Sequence, residues 1–135
     1  MDPYGFERLS QRILKESGLE QVEVSGGPND GGIDGQGVLK VNLISFRVYF
    51  QCKKYKGTVS SKEIRSFRGA MEGRGDKGIF MTTGGYTSEA KKEASRVGTN
   101  SIDLIGGERI CELLRDLKIG VNTEIVIDKK LFYEI

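Results

Sequence analysis

An α/β fold, with a mixed β-sheet flanked by helices on both faces, is what this sequence predicts. Three observations predict it. The stretch from Phe46 to Lys56, Phe-Arg-Val-Tyr-Phe-Gln-Cys-Lys-Lys-Tyr-Lys, is rich in aromatic and β-branched residues and has neither Gly nor Pro, a strand composition. Before it the chain reads as one helix and two strands. After it helical and strand patterns alternate, the order that sets strands parallel with helices between them. At 135 residues the chain is sized for one domain with a real core, and that domain is expected to span residues 1–135.

Pro3 to Ser17 reads as an amphipathic helix, because Phe6, Leu9, Ile13 and Leu14 recur at helical spacing. Asp2 is placed to cap it, Pro3 suits its first turn and Gly18 its end. Leu19 to Ser25 alternates apolar and polar residues and reads as a strand. Gly26 to Gly32 is built of turn-forming residues, and Ile33 to Val41 reads as a second strand weakened by Gly35 and Gly37. A short turn bracketed by Asn42 and Ser45 then leads into the Phe46–Lys56 strand, which should pair antiparallel with the one before it. Lys56 to Ser61 reads as a loop ending in a helix cap, with Glu63 completing a capping box for Ser60. The helix that follows runs to about Gly73 and turns Ile64, Phe67, Ala70 and Met71 inward. Lys77 to Thr83 is apolar through its middle, as an interior parallel strand should be. Thr87 or Ser88 opens a helix through Arg96 with Ala90, Ala94 and Val97 on one side. Asn100 to Ile105 reads as a strand and Gly107 to Leu117 as a last helix. Beyond Val121 one strand is expected, Glu124 to Ile127.

Composition excludes several classes of chemistry. There is no histidine, and Cys52 and Cys111 stand far apart, so zinc sites and His-based catalysis are not expected. Both thiols are expected to be buried as small apolar groups in a reducing compartment. No apolar run approaches the roughly 20 residues of a membrane span, and Met-Asp-Pro-Tyr-Gly does not open a signal peptide, so the expected setting is cytoplasmic. The net charge is only +2, from 21 basic and 19 acidic side chains, and does not by itself identify a nucleic-acid partner. The distribution says more: Arg47 to Lys56 holds four basic residues and no acid, a local basic surface suited to phosphates.

Alternation along the Phe46–Lys56 strand sends Val48, Phe50 and Cys52 to one face and Arg47, Tyr49, Gln51 and Lys53 to the other. The second face thus ends in an amide and an ammonium two residues apart. Upstream, Asp34 sits in a Gly-flanked turn, where backbone and substrate can approach closely. An acid, an amide oxygen and a Lys are the donor set that phosphodiester hydrolysis needs. Oxygens hold a divalent cation, for which Asp34, Gln51 and the Cys52 backbone carbonyl are candidates, and the ammonium of Lys53 holds water or phosphate. Cys52 points away and packs. Lys54, Lys56, Thr58 and Ser60 are candidate phosphate contacts. As a bare pattern an Asp followed 17 positions later by Gln-x-Lys is weak, and ordinary solvated side chains on a half-exposed strand would match it as well.

A longer set of ordered motifs adds to this. Gly-Phe-Glu-Arg-Leu-Ser-Gln-Arg at 5–12, Asp-Gly-Gly-Ile-Asp-Gly at 30–35, Phe-Gln-Cys-Lys-Lys-Tyr-Lys-Gly-Thr-Val at 50–59, Phe-Arg-Gly-Ala-Met at 67–71, Thr82-Thr83 and Ile-Asp-Leu-Ile at 102–105 follow one another along the chain. On these motifs the chain resembles the catalytic domain of Mrr-type restriction endonucleases, a branch of the PD-(D/E)XK nuclease superfamily. The resemblance implies a restriction-endonuclease-like core of helix, three-stranded meander, helix and strand. It implies a Mg²⁺-dependent site, with Mn²⁺ as a substitute, in which Asp34 is the acid, Gln51 and Lys53 the Gln-x-Lys pair and Glu7 an additional carboxylate from the first helix. It implies a type IV enzyme acting on double-stranded DNA with modified, methylated bases. Gln51 stands where the superfamily usually has an acid, a replacement common in this branch. The family's N-terminal winged-helix recognition module has no counterpart in these residues, so it is expected elsewhere in the full-length protein. Cleavage of both strands calls for a homodimer or higher oligomer. A repair or branched-DNA nuclease on the same core, and an inactive DNA-binding module, are the competing readings.

Overall fold

The structure, a computed structural model, describes residues 2–24, 32–74 and 76–119, so the expected strand at Glu124 to Ile127 lies outside the described residues. Helix α1 (Pro3–Glu16) starts as its sequence demands. Asp2 accepts a hydrogen bond from the Gly5 N–H at 2.6 Å, and Pro3 occupies the first turn. Strands β1 (Glu20–Val24), β2 (Gly35–Val41) and β3 (Ile44–Lys53) form an antiparallel meander. The β2–β3 turn has Asn42 in the left-handed region (φ 54°), a conformation Asn tolerates. Next come β4 (Thr58–Val59), α2 (Ser61–Met71), β5 (Lys77–Thr82), β6 (Gly85–Tyr86), α3 (Ser88–Ala94), β7 (Ser101–Ile105) and α4 (Gly107–Asp116).

The main sheet has the order β1-β2-β3-β5-β7, with β3, β5 and β7 mutually parallel. It is the mixed sheet between helices that the order of elements predicts. Helices α1 and α4 cover one face, packing Phe6, Ile13, Ile110 and Leu114 on Val48, Phe50 and Met81. Helices α2 and α3 cover the other, packing Ile64, Phe67, Met71 and Ala90 on Tyr49, Phe80 and Ile102. Strand β3 is therefore buried on both faces from Val48 to Phe50, while Ile44, Ser45 and Arg47 at its start are exposed.

Two differences from the sequence reading have physical causes. Strands β4 and β6 pair in parallel as a two-stranded sheet where a loop and a strand break were expected. Two residues are too short a run to show periodicity. Gly84, beside this pair, is packed so close to the Gly57 carbonyl that a Cβ would overlap it. Val97 is 95% exposed because α3 stops at Ala94, before the residue that would bring Val97 inward. Arg68 and Glu93 are buried instead, and pair with each other across α2 and α3. Arg68 also donates to the Glu93 and Ala94 carbonyls, at 2.6 and 3.2 Å, which satisfies acceptors at the open end of α3. Ser10, on the inner face of α1, is 0% exposed. Among the described residues no helix is long and apolar enough to cross a membrane.

Phe80 lies on β5, is 0% exposed and meets Phe67 and Tyr86 edge-on, with ring centroids 5.8 and 6.1 Å away. Phe80→Ala is expected to destabilise the fold by about 3–5 kcal/mol in urea unfolding, whereas Val97→Ala stays within about 0.5 kcal/mol.

Candidate active site

The site is assembled where β3 runs out past the covering helices. Antiparallel pairing brings Gly35 opposite Phe50, and the Asp34 N–H continues the ladder by donating to the Phe50 carbonyl at 2.8 Å. The Asp34 carboxylate then bends along β3 and accepts from the Cys52 N–H at 2.6 Å. A side chain thus takes over a hydrogen bond from the ladder at the end of the strand pair. Just before it, Gly32 has φ +90° and lies against the amide of Gln51, where a Cβ would come within 2.8 Å of Oε1. The backbone angle favours glycine there, and the missing Cβ leaves room for the amide. The turn therefore sets the acid and the amide side by side.

Asp34 is half-buried, and burial raises its pKa from the ordinary 3.8 to about 6. The Cys52 N–H opposes this shift, while the nearby negative charge of Glu7 adds to it. Glu7, on α1, lies close enough for its charge to act on both Asp34 and Cys52. Burial pushes the Cys52 thiol far up, with the Asp34 and Glu7 charges adding to the effect, and Ser10 is its neighbour. The thiol stays protonated and packs against the α1–α4 core, as the strand alternation predicted.

On the α2 side, Lys53 pairs with Glu63 of α2, and the Lys53 ammonium lies 4.8 Å from the centroid of the Tyr55 ring. The other Glu63 oxygen accepts from the Ser60 N–H at 3.0 Å, forming the capping box that the sequence predicted. Burial acts to raise the Glu63 carboxyl, but its bonds to Lys53 and Ser60 outweigh that and hold it below the usual carboxylate range. Gly32, Gln51, Lys62, Glu63 and Ser66 line an open groove between the end of β3 and α2. The segment after β3 is strapped down by Thr83, whose hydroxyl accepts from the Tyr55 N–H at 2.8 Å and donates to the Tyr55 carbonyl at 3.0 Å. Lys54 is partly buried in this segment, whereas Lys56 and Thr58 are exposed. Ser60, the fourth candidate phosphate contact, is engaged at the start of α2 through its N–H.

Sequence reasoning thus gathered Asp34, Gln51, Lys53 and Glu7 at one end of the sheet. It assigned Glu63 to the helix cap alone. The available signal was spacing: an acid in the first turn of the helix that follows Lys53 can reach back to the end of the strand.

Oxygen donors dominate the site, and two acids approach each other in partial burial, a setting that a hard cation would relieve. Among the described residues no three His, Cys, Asp or Glu side chains converge as a metal cage.

The raised pKa of Asp34 carries a stability prediction. Between pH 3.8 and about 6 the folded carboxyl keeps a proton that the unfolded one has lost, so stability falls as pH rises through that window. Asp34→Asn removes the buried charge and keeps an oxygen for the Cys52 N–H. In urea unfolding at pH 7.5 without divalent ions (~7–8 being above both pKa values) it is expected to stabilise by about 1 kcal/mol, allowing for solvent screening of a half-buried group. The gain should vanish near pH 3.

Comparison with known proteins bears on the family and the fold. The family model described as a restriction endonuclease, of the Mrr catalytic-domain type, matches residues 1–114. The type IV methyl-directed restriction enzyme EcoKMrr of Escherichia coli K12 is 32% identical over 97% of this chain, which spans 44% of the length of that relative. Among solved structures, the DNA modification-dependent restriction endonuclease AspBHI superposes with a TM-score of 0.74 at 20% identity, covering 97% of this chain and 34% of its own. The MspJI restriction endonuclease, solved with a 27-mer oligonucleotide, gives a TM-score of 0.61 at 22% identity, covering 93% of this chain and 29% of its own. These two likenesses concern the fold. The family match and the identity to EcoKMrr establish that the chain belongs to the restriction endonuclease family as an Mrr-type nuclease domain.

Proposed function

We propose that this domain hydrolyses DNA phosphodiester bonds with the help of Mg²⁺, for which Mn²⁺ can substitute, as the catalytic part of a type IV enzyme that restricts modified DNA. The observation that carries the reading is the meeting, at the end of β3, of a half-buried Asp34, the Gln51 amide and the Lys53 ammonium beside an open groove. Asp34 and Gln51, with the Cys52 carbonyl, would hold the cation, which when bound polarises the scissile phosphate and acidifies a bound water. Gly32 leaves room for the Gln51 amide, since a Cβ there would come within 2.8 Å of Oε1. Lys53 donates N–H bonds to a phosphate oxygen or to the attacking water and offsets the charge that grows in the transition state. Glu7, whose charge reaches Asp34, raises the local negative charge and with it the attraction for a cation.

Lys54, Lys56 and Thr58 follow the site and suit phosphate contacts, which fix register on DNA but read no bases. Ser60 offers its hydroxyl at the same end of α2. Recognition of the modified base is assigned to another part of the full-length protein. A second copy of the domain is assigned to the second strand. A cytoplasmic setting fits Cys52 and Cys111, neither of which is in a disulfide among the described residues.

A plasmid assay with Mg²⁺ tests the proposal. Asp34→Ala and Lys53→Ala are each expected to lower nicking by about 100-fold or more with the circular dichroism spectrum unchanged. Near-normal cleavage by either variant contradicts the assignment. Gln51→Glu adds a charge in nearly the same shape, so calorimetry should find Mg²⁺ binding kept or strengthened; weaker binding removes Gln51 from the cation site. The 135-residue chain should nick more than it linearises, with little preference for methylated plasmid.

A further inference from the structure

We infer that Glu63 is a positioning residue for Lys53: it fixes the ammonium at the mouth of the groove and ties it to the start of α2. The inference rests on the reading of the groove as a phosphodiesterase site. Three observations point to it. First, Glu63 uses both carboxylate oxygens, one on Lys53 and one on the Ser60 N–H, at 3.0 Å. A residue serving only the helix cap needs one. Second, the backbone bond anchors the carboxylate, so it presents a fixed acceptor to a side chain with four rotatable bonds. Third, the pair stands at the groove itself, which Glu63 lines together with Gln51 and Gly32.

Stability does not account for this arrangement. The Lys53 and Glu63 side chains are 38% and 30% exposed, and an ion pair so open to water contributes little to folding. Its effect lies in geometry. The Tyr55 ring bounds the ammonium on one side and Glu63 accepts one of its protons, leaving two N–H groups for a phosphate oxygen or water. A Lys already held in place loses less freedom when the transition state forms, and misplacement by about 1 Å can cost as much as ~100-fold in rate. Lys62 and Ser66 flank the same contact on α2, so substrate pressing on the helix would bear directly on the Lys53 anchor.

The cap and the ion pair separate cleanly by substitution. In Glu63→Gln the amide oxygen can still accept from the Ser60 N–H, since Gln serves a capping box as Glu does, but the charge facing Lys53 is gone. The expected result is a kcat for plasmid nicking lower by about 10- to 100-fold, with KM within about 2-fold and an unchanged melting temperature. Glu63→Asp, which keeps the charge, should recover part of the loss. In a Lys53→Ala background Glu63→Gln should cost nothing further. A signature independent of activity is the ¹⁵N-correlated signal of the Lys53 NH₃⁺ group, which should be visible in the wild type and broadened away in Glu63→Gln. Wild-type kcat in Glu63→Gln, or a Lys53 signal that does not change, overturns the inference. So does a Gln variant that loses stability and activity together with no recovery in Glu63→Asp, the pattern of a cap alone. If the wild-type chain does not cut DNA, the functional reading falls and this inference falls with it; that outcome differs from the others in appearing before any Glu63 change.

Discussion

Burial of the middle of β3, Val48 to Phe50, on both faces is the constraint on which the rest depends. It pairs antiparallel with β2 and parallel with β5, so its hydrogen-bonding edges are filled and its register is fixed from two directions. A slip of one residue would move Val48 and Phe50 to the α2–α3 face and Tyr49 to the α1–α4 face, exchanging two differently shaped cores. That penalty locks the strand. The same alternation continues past the helices to Gln51, Cys52 and Lys53, where it directs polar groups into the groove and the thiol into the core. Site geometry at the end of β3 is thus a by-product of core packing in its middle.

Asp34 shows what this precision costs. A carboxylate that is half-buried near Glu7 is unfavourable in the free domain, as its raised pKa records. The fold retains it because the Phe50 carbonyl and the Cys52 N–H hold its backbone and side chain at the strand end. Sites that are locally unfavourable without their ligand are common where function, not stability, selects the residue. The Arg68–Glu93 pair is a different case. It is also buried and charged, but its guanidinium bonds carbonyls at the end of α3, so it joins two helices.

Much of this was legible in the sequence. The composition of Phe46 to Lys56 and the apolar middle of Lys77 to Thr83 named the two central strands, because a strand buried on both faces needs such residues. Capping residues Asp2, Ser60 and Thr87 located three helix starts. Ordered motifs gathered Asp34, Gln51, Lys53 and Glu7. Contacts that depend on packing between elements were not legible. Arg68 and Glu93 look like surface charges until α2 and α3 lie side by side, and β4 and β6 exist only because the segments after β3 and β5 run together. Glu63 was read as a cap and nothing more, because periodicity describes a residue's own helix and not the strand end across from it.

The central claim is that Asp34 belongs to a cation site at the end of β3. Thermal melting with and without divalent ions measures this without relying on cleavage, since a ligand that binds only the folded state raises the melting temperature. At pH 8 (~2 units above the folded pKa of Asp34), saturating Mg²⁺ or Mn²⁺ is expected to raise the melting temperature of the wild type by several degrees and to leave Asp34→Asn unmoved. An equal shift in both proteins would place the ion elsewhere and contradict the account.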